Sequence, residues 1–169
     1  MQVLETARLR LRRLSGADAP FMLQLLNDPS FIRNIGDRGV RDVEGARGYL
    51  MAGAIASHEK HGYGLDLVEL KSSGEAAGIC GLVRRDYLGD PDIGFAFLPQ
   101  FTGLGYAVES AAAVLARARG ALALPRVLAI VSPGNERSIR VLTKIGLRYE
   151  GMITPPGEGQ ALLLFTSDA

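Results

Sequence analysis

Residues 63–98 carry three strand-patterned runs separated by two turns, and this meander constrains the fold more than any other feature. Tyr63 to Lys71 (YGLDLVELK) alternates apolar and polar residues, then stops at Ser72-Ser73-Gly74. Glu75 to Arg85 reads as the returning strand. Leu88-Gly89-Asp90-Pro91 is a second turn, and Asp92 to Leu98 (DIGFAFL) is a third strand ended by Pro99. Three antiparallel strands therefore follow one another through the middle of the chain.

The flanks read differently. From Ala7 to Arg13, Leu9 and Leu11 alternate with Arg8, Arg10 and Arg12, the pattern of a half-buried strand. Ser15 or Asp18 caps a helix that runs through Phe21 and Leu25 to Asn27, where Asp28-Pro29 breaks it. Phe31 to Arg41 reads as loop or short helix. Asp42 to His61 places Val43, Ala46, Leu50 and Ala54 on one face, which predicts one helix ending at Gly62. Downstream, Tyr106 to Arg119 is an alanine-rich helix and Arg126 to Val131 a β-branched strand. Asn135 to Ile145 is a short helix closed by Gly146. Strands at Leu147 to Glu150 and Gln160 to Thr166 flank a Pro155-Pro156-Gly157 loop. A strand, two helices, a meander and then β-α-β predict a mixed α/β sheet. No repeat, low-complexity tract or linker interrupts it, so residues 1–169 read as a single domain.

Composition excludes several classes. The chain has 47% hydrophobic and 22% charged residues, as a globular protein does and a disordered chain does not. One cysteine excludes a disulfide framework or a cysteine zinc site. Cys80, in GICGLV, reads as a small core residue of a buried strand. Two histidines, His58 and His61, argue against a histidine-rich metal site, so no metal is expected. A net charge of +1 gives no reason to expect nucleic acid. The start, MQVLETARLRLRRL, lacks the apolar core of a signal peptide, and no run approaches the ~20 apolar residues of a membrane helix. The expectation is a soluble, cytoplasmic protein with no membrane partner.

Two stretches can carry chemistry. In FLPQFTGLGYAVE, Phe97 to Glu109, a strand gives way to a helix through a turn holding Gly103 and Gly105. Glycines there let a ligand approach the backbone, and the free N–H groups of the helix start attract an anion. A pyrophosphate fits, and so does a glycine-rich turn with no ligand. The dinucleotide fingerprint fails, because Val108 holds the place of its third glycine, and no Lys-Ser or Lys-Thr pair completes a P-loop. The second stretch is SPGNERSIRVLTKIGLRYEG, Ser132 to Gly151. Asn135 reads as an N-cap, Ser138 lies in the first turn, and Ile139, Leu142 and Ile145 form a buried stripe. Alone, it reads as a structural helix.

Together, in this order and spacing, the stretches resemble the GCN5-related N-acetyltransferase (GNAT) superfamily over nearly the whole chain. The opening ETARLRLRRLSGADA is similar to that of its ribosomal-protein-alanine acetyltransferase-like (RimJ/RimL-type) branch. IGFAFLPQFTGLGYAVES is similar to the acetyl-CoA motif, and NERSIRVLTKIGLRYEG to the family's N-x-x-S…K-x-G-F-x-x-E-G, with Leu147 where Phe is usual. The resemblance implies a mostly antiparallel sheet of about seven strands, splayed between residues 92–98 and 126–131, with helices on both faces. It implies acetyl transfer from acetyl-CoA to a primary amine by direct attack. The acceptor is a protein N-terminus or a small molecule, and the protein a monomer or homodimer. Thr102, Gly103, Leu104, Gly105, Tyr106 and Ala107 would lie along the pyrophosphate. A backbone N–H near Phe97 or Leu98 would polarise the thioester carbonyl. Asn135 and Ser138 would contact the pantetheine and the sulfur.

Two positions depart from the superfamily pattern. Thr102 stands where Gln or Arg is usual, and Leu142 stands where many members carry a proton-donating Tyr. Ser138 is the candidate to hydrogen-bond the departing thiolate instead. Three carboxylates compete as general base. Asp92 opens the third meander strand, where it also reads as a turn residue after Pro91; Glu158 sits in a C-terminal loop; Glu69 lies on a neighbouring strand. Glu109 reads as helix packing, or as favourable negative charge near a helix start. With Leu142 and Thr102 as its support, the alternative is a non-catalytic acyl-CoA-binding or sensing domain of the same fold.

Overall fold

The computed structural model describes residues 3–167. Among the described residues, eight strands form one sheet in the order β1-β2-β3-β4-β5-β6-β8-β7. They are β1 Leu4–Glu5, β2 Leu9–Arg13, β3 Leu65–Leu70, β4 Ala76–Val83, β5 Asp92–Phe97, β6 Leu128–Val131, β7 Arg148–Ile153 and β8 Leu162–Thr166. All neighbours are antiparallel except β5 and β6. The strand beyond the expected seven is β1, where Leu4 pairs with Leu11 and Glu5 with Arg10. Two residues are too few to show alternation.

Six α-helices pack on the sheet: α1 Ala19–Leu26, α2 Pro29–Asn34, α3 Val43–Leu50, α4 Ala56–His61, α5 Tyr106–Arg119 and α6 Glu136–Lys144. Ser15 and Asp18 both act at the start of α1, through a reciprocal capping box around a 3-10 turn at Gly16–Asp18. Asp28-Pro29 does more than end α1. The Asp28 carboxylate accepts the N–H groups of Ser30 and Phe31, and Pro29 fits the first turn, so α2 begins there. The expected helix from Asp42 to His61 is one rod with a π-helical middle, Met51–Ile55, between α3 and α4. None of those five side chains is fully buried, and only Ala54 and Ile55 pack against the core. Asp42 caps the rod through the Gly45 N–H at 2.7 Å, and Gly62, at φ +78°, ends it.

Alternation divides the sheet between two cores. Val68 of β3 faces the core beneath α5, with Leu9, Leu11, Cys80 and Ile93. Leu67 faces the opposite core, under α1 and α3, with Met22, Leu25, Leu50 and Ile79. Each fully buried leucine contributes about 1.5–3 kcal/mol by leaving water. Helices thus cover both faces of the central strands.

Candidate active site

The gap lies between β5 and β6. Their only register pair is Asp92 with Leu128, supported by the Leu128 N–H on the Pro91 carbonyl at 2.9 Å. β6 turns to β8, pairing from Leu128–Thr166 to Val131–Leu163, and β5 stays on β4. The strands thus splay beyond Asp92, as expected. The Leu98 N–H donates to the Ala77 carbonyl at 3.0 Å. Peptide groups alternate in direction along a strand, so those of Phe95 and Phe97 turn toward the gap. This corrects one expectation. The Leu98 N–H is committed to the sheet and cannot polarise a thioester, whereas Phe97 keeps the required orientation.

A cavity of about 920 Å³ passes through the gap and touches both cores. It brings together Asp92, Asn135, Ser138 and Glu158, with Leu142 in its wall. On β5 its lining ends at Ala96, so Phe97, Leu98 and the turn from Thr102 to Ala107 lie outside it. Glu69 lies outside too, paired with Arg12 at 3.3 Å.

Asp92 is not a solvent-facing turn residue. Its side chain is 2% exposed, and Oδ1 accepts from Arg85 Nε at 3.0 Å. Burial raises its pKa above the usual carboxylate range, although the Arg85 guanidinium opposes the rise. Sequence reasoning missed Arg85. A buried carboxylate requires a counter-charge, but the Arg84-Arg85 doublet leaves open which one turns inward. Asn135 caps α6 as expected, its Oδ1 accepting the Ser138 backbone N–H at 3.2 Å. That bond uses the Ser138 backbone and not its hydroxyl.

The glycine turn takes a backbone conformation that favours glycine. Gly103 and Gly105 sit at φ +76° and +85°, a region that side chains with a Cβ rarely adopt. No side chain caps the start of α5. The Thr102 hydroxyl donates back to the Pro99 carbonyl at 2.7 Å. Arg8 lies over this turn: Nη1 donates to the Leu104 carbonyl at 2.9 Å, and the guanidinium stacks 4.5 Å above the Tyr106 ring. Glu109 does more than balance the helix. It accepts the Thr6 hydroxyl at 2.5 Å, the Arg8 N–H at 2.9 Å and Arg8 Nε at 2.8 Å. Burial pushes its pKa up, but these donors outweigh that and hold it below the usual value.

Elsewhere, Cys80 is buried in the core, and burial pushes its thiol up to about 12. His58 is also buried, with Nε2 2.9 Å from Asp66 Oδ1. Among the described residues, no group of three or more His, Cys, Asp or Glu side chains is placed to hold a metal, and no helix is long and apolar enough to cross a membrane.

A splayed pair of strands beside a glycine turn is the architecture that the motifs anticipate, and comparison with known proteins agrees. A Bacillus subtilis protein, YkkB, is 33% identical over 155 residues, covering 89% of this chain and 87% of its own. An acetyltransferase structure from Agrobacterium tumefaciens superposes with a TM-score of 0.85 at 27% identity, over 100% of this chain and 95% of that one. The ribosomal L7/L12 α-N-protein acetyltransferase RimL, solved with coenzyme A, gives a TM-score of 0.82 at 18% identity, over 99% and 98% of the two chains, which is a likeness of fold. The acetyltransferase (GNAT) domain profile matches residues 8–148, and the chain belongs to that family.

Proposed function

We propose that the protein is an acetyl-CoA-dependent N-acetyltransferase that acts on a primary amine, within the RimJ/RimL-like branch and in the cytoplasm. The observation that carries this reading is the β5–β6 gap, whose cavity gathers Asp92, Asn135, Ser138 and Glu158. The residues present fit acetyl-CoA. The gap-facing peptide of Phe97 offers backbone hydrogen bonds to a pantetheine arm, and the uncapped start of α5 behind Gly103 and Gly105 offers N–H groups to phosphates.

Acetyl-CoA would supply the acyl group as a thioester; the amine nitrogen forms the new C–N bond as the C–S bond breaks and the thiolate leaves. The chain's own groups serve that exchange. The Phe97 N–H donates to the carbonyl oxygen as it gains negative charge. The Ser138 hydroxyl donates a hydrogen bond to the sulfur. Asp92 accepts the proton that the amine must lose, directly or through a water, and its raised pKa makes it a stronger base than an exposed carboxylate. Glu158, at the cavity rim, orients the incoming ammonium.

The buried Leu142, a wall residue with no proton to donate, favours the alternative of a non-catalytic acyl-CoA-binding domain. Incubation with acetyl-CoA and a mixed amine and peptide library separates the two. Thiol release with acetylated products by mass spectrometry is expected. CoA binding with neither signal overturns the catalytic reading.

A further inference from the structure

We infer that the acceptor carries an anionic group, a carboxylate or a phosphate, on the same molecule as its amine, and that Arg33, Arg38 and Lys60 receive it. The inference rests on the acetyltransferase reading and names the substrate class of that site. Five cationic side chains line the cavity against two carboxylates, whereas the whole chain has a net charge of only +1. Positive charge is therefore concentrated where the acceptor must enter.

Most neighbouring charges are already satisfied. Arg85 is committed to Asp92, and Arg84 Nη1 donates to the Gly89 carbonyl at 3.1 Å. Asp37, beside Arg38 in sequence, is taken by Arg41 at 2.5 Å and by the Gly39 N–H at 2.9 Å. The side chains of Arg33, Arg38 and Lys60 make no ion pair or hydrogen bond with another described residue. Three exposed cations without counter-charges, lining one cavity, repel a polyamine and attract an anion. Their position is set by the fold. Asn34, next to Arg33, is fastened to Ser132 at 2.9 Å, and Lys60 lies in the last turn of α4. The phosphates of coenzyme A have a separate place, since the glycine turn under Arg8 lies outside the cavity lining. Asp92 already holds Arg85, and the exposed Glu158 remains for the ammonium, so the cavity offers both signs to one zwitterionic molecule.

Matched acceptors test this. O-phosphoethanolamine is compared with ethanolamine, and 4-aminobutyrate with its amide, so that the two pairs distinguish phosphate from carboxylate. At least one anionic acceptor should exceed its neutral partner by about ten-fold or more in kcat/KM, mainly through KM, with the advantage shrinking in salt. The combined variant Arg33→Gln, Arg38→Gln and Lys60→Gln should lose the preference while keeping kcat and CoA affinity. Arg13→Gln, an exposed arginine outside the cavity, should keep the preference. Transfer to amines without preference for an anionic partner overturns this inference alone, as does a triple variant that loses CoA affinity. Absence of transfer to every amine overturns the acetyltransferase reading instead. In that case, calorimetric titration of O-phosphoethanolamine and 4-aminobutyrate into the CoA-saturated protein decides: binding by the parent and not by the triple variant supports the anion site, and no binding by the parent overturns it.

Discussion

Ser132 donates its hydroxyl to the Asn34 carbonyl at 2.9 Å, across 98 positions of sequence. Asn34 ends α2 on one side of the cavity, and Ser132 follows β6 on the far side of the gap. The bond therefore spans the open edge of the splay and joins the cavity wall at α2 to the strand that flanks the gap. A six-residue helix has little stability of its own, so this tie does much to place its last turn.

Removing the tie should loosen α2 locally. One neutral hydrogen bond contributes about 1 kcal/mol, which corresponds to about five-fold faster opening. In Ser132→Ala, amide exchange over residues 31–36 should rise by that factor while the sheet amides stay protected. Unchanged exchange there would mean that the Asp28 cap and the packing of Phe31 hold the helix without this tie.

Glu109 fastens the chain's first strands to α5, and its test is pH-dependent. Its folded pKa lies below the ordinary 4.5, so its contribution is complete above that value and is lost as pH falls through the folded pKa. Glu109→Gln should cost about 1–2 kcal/mol at pH 7, a modest figure because Arg8 is 48% exposed. Urea titrations should show parent and variant converging below pH 4.5. A constant difference down to pH 3 would assign the cost to shape rather than charge.

The meander, α5 and the Asn135 cap were legible because each is written in neighbouring residues: an alternation, a turn, or a cap before a periodic run. Relationships between distant residues leave no such period. Glu109 receives Thr6 and Arg8 from more than 100 positions away, and nothing local marks it as their acceptor. Asp92 reads as a turn residue from Pro91 alone, and only the fold shows Arg85 beside it. The π-helical turn at Met51–Ile55 is hidden for a different reason: a helical period tolerates one extra residue over so short a window. The Leu98 N–H could be assigned only from strand register, which a one-residue slip reverses.

Arg85→Gln should be costly, and more so at high pH. It leaves Asp92 buried without its counter-charge, which pushes the carboxyl pKa further up. A folded pKa raised above the unfolded one gives stability that is complete below the unfolded pKa and lost as pH rises through the folded pKa. The variant should therefore lie close to the parent at pH 4 and fall behind by pH 8. A loss of about 3 kcal/mol is expected there, the low end for a broken buried pair, because Arg85 keeps 31% of its side chain exposed. Equal losses at both pH values, by chemical denaturation, would show that the charge is not what matters.

Gly105→Val should lower both apo stability and coenzyme affinity. A Cβ at φ +85° is strained, and it would meet Arg8 Nη2 at 3.1 Å, a flexible contact that can move. Backbone strain thus dominates, and the apo protein should lose about 1 kcal/mol or more. CoA affinity should fall at least about ten-fold, or roughly 1.4 kcal/mol, if phosphates sit on this turn. Gly89→Val is the control, since nothing lies within 4 Å of its added Cβ and its φ is not positive. Melting curves and calorimetric titration with CoA separate the outcomes. A destabilised variant that binds CoA like the parent would remove the phosphates from this turn.

The last pair of variants divides capping from catalysis in α6. Asn135 Oδ1 satisfies the Ser138 backbone N–H at 3.2 Å, so the cap belongs to Asn135 and is indifferent to the Ser138 hydroxyl. Asn135→Ala should cost about 1 kcal/mol of stability, the usual loss for such a cap. Ser138→Ala should leave the melting temperature nearly unchanged, because the hydroxyl is no part of the cap and alanine favours the helix. If that hydroxyl bonds the departing sulfur, a hydrogen bond to developing charge is lost, about 1.5–3 kcal/mol, and kcat should drop about ten-fold or more. Ser138→Thr, which keeps a hydroxyl, should recover part of that rate. Turnover by Ser138→Ala at the parent's rate would leave this serine an ordinary first-turn residue and require another donor for the thiolate.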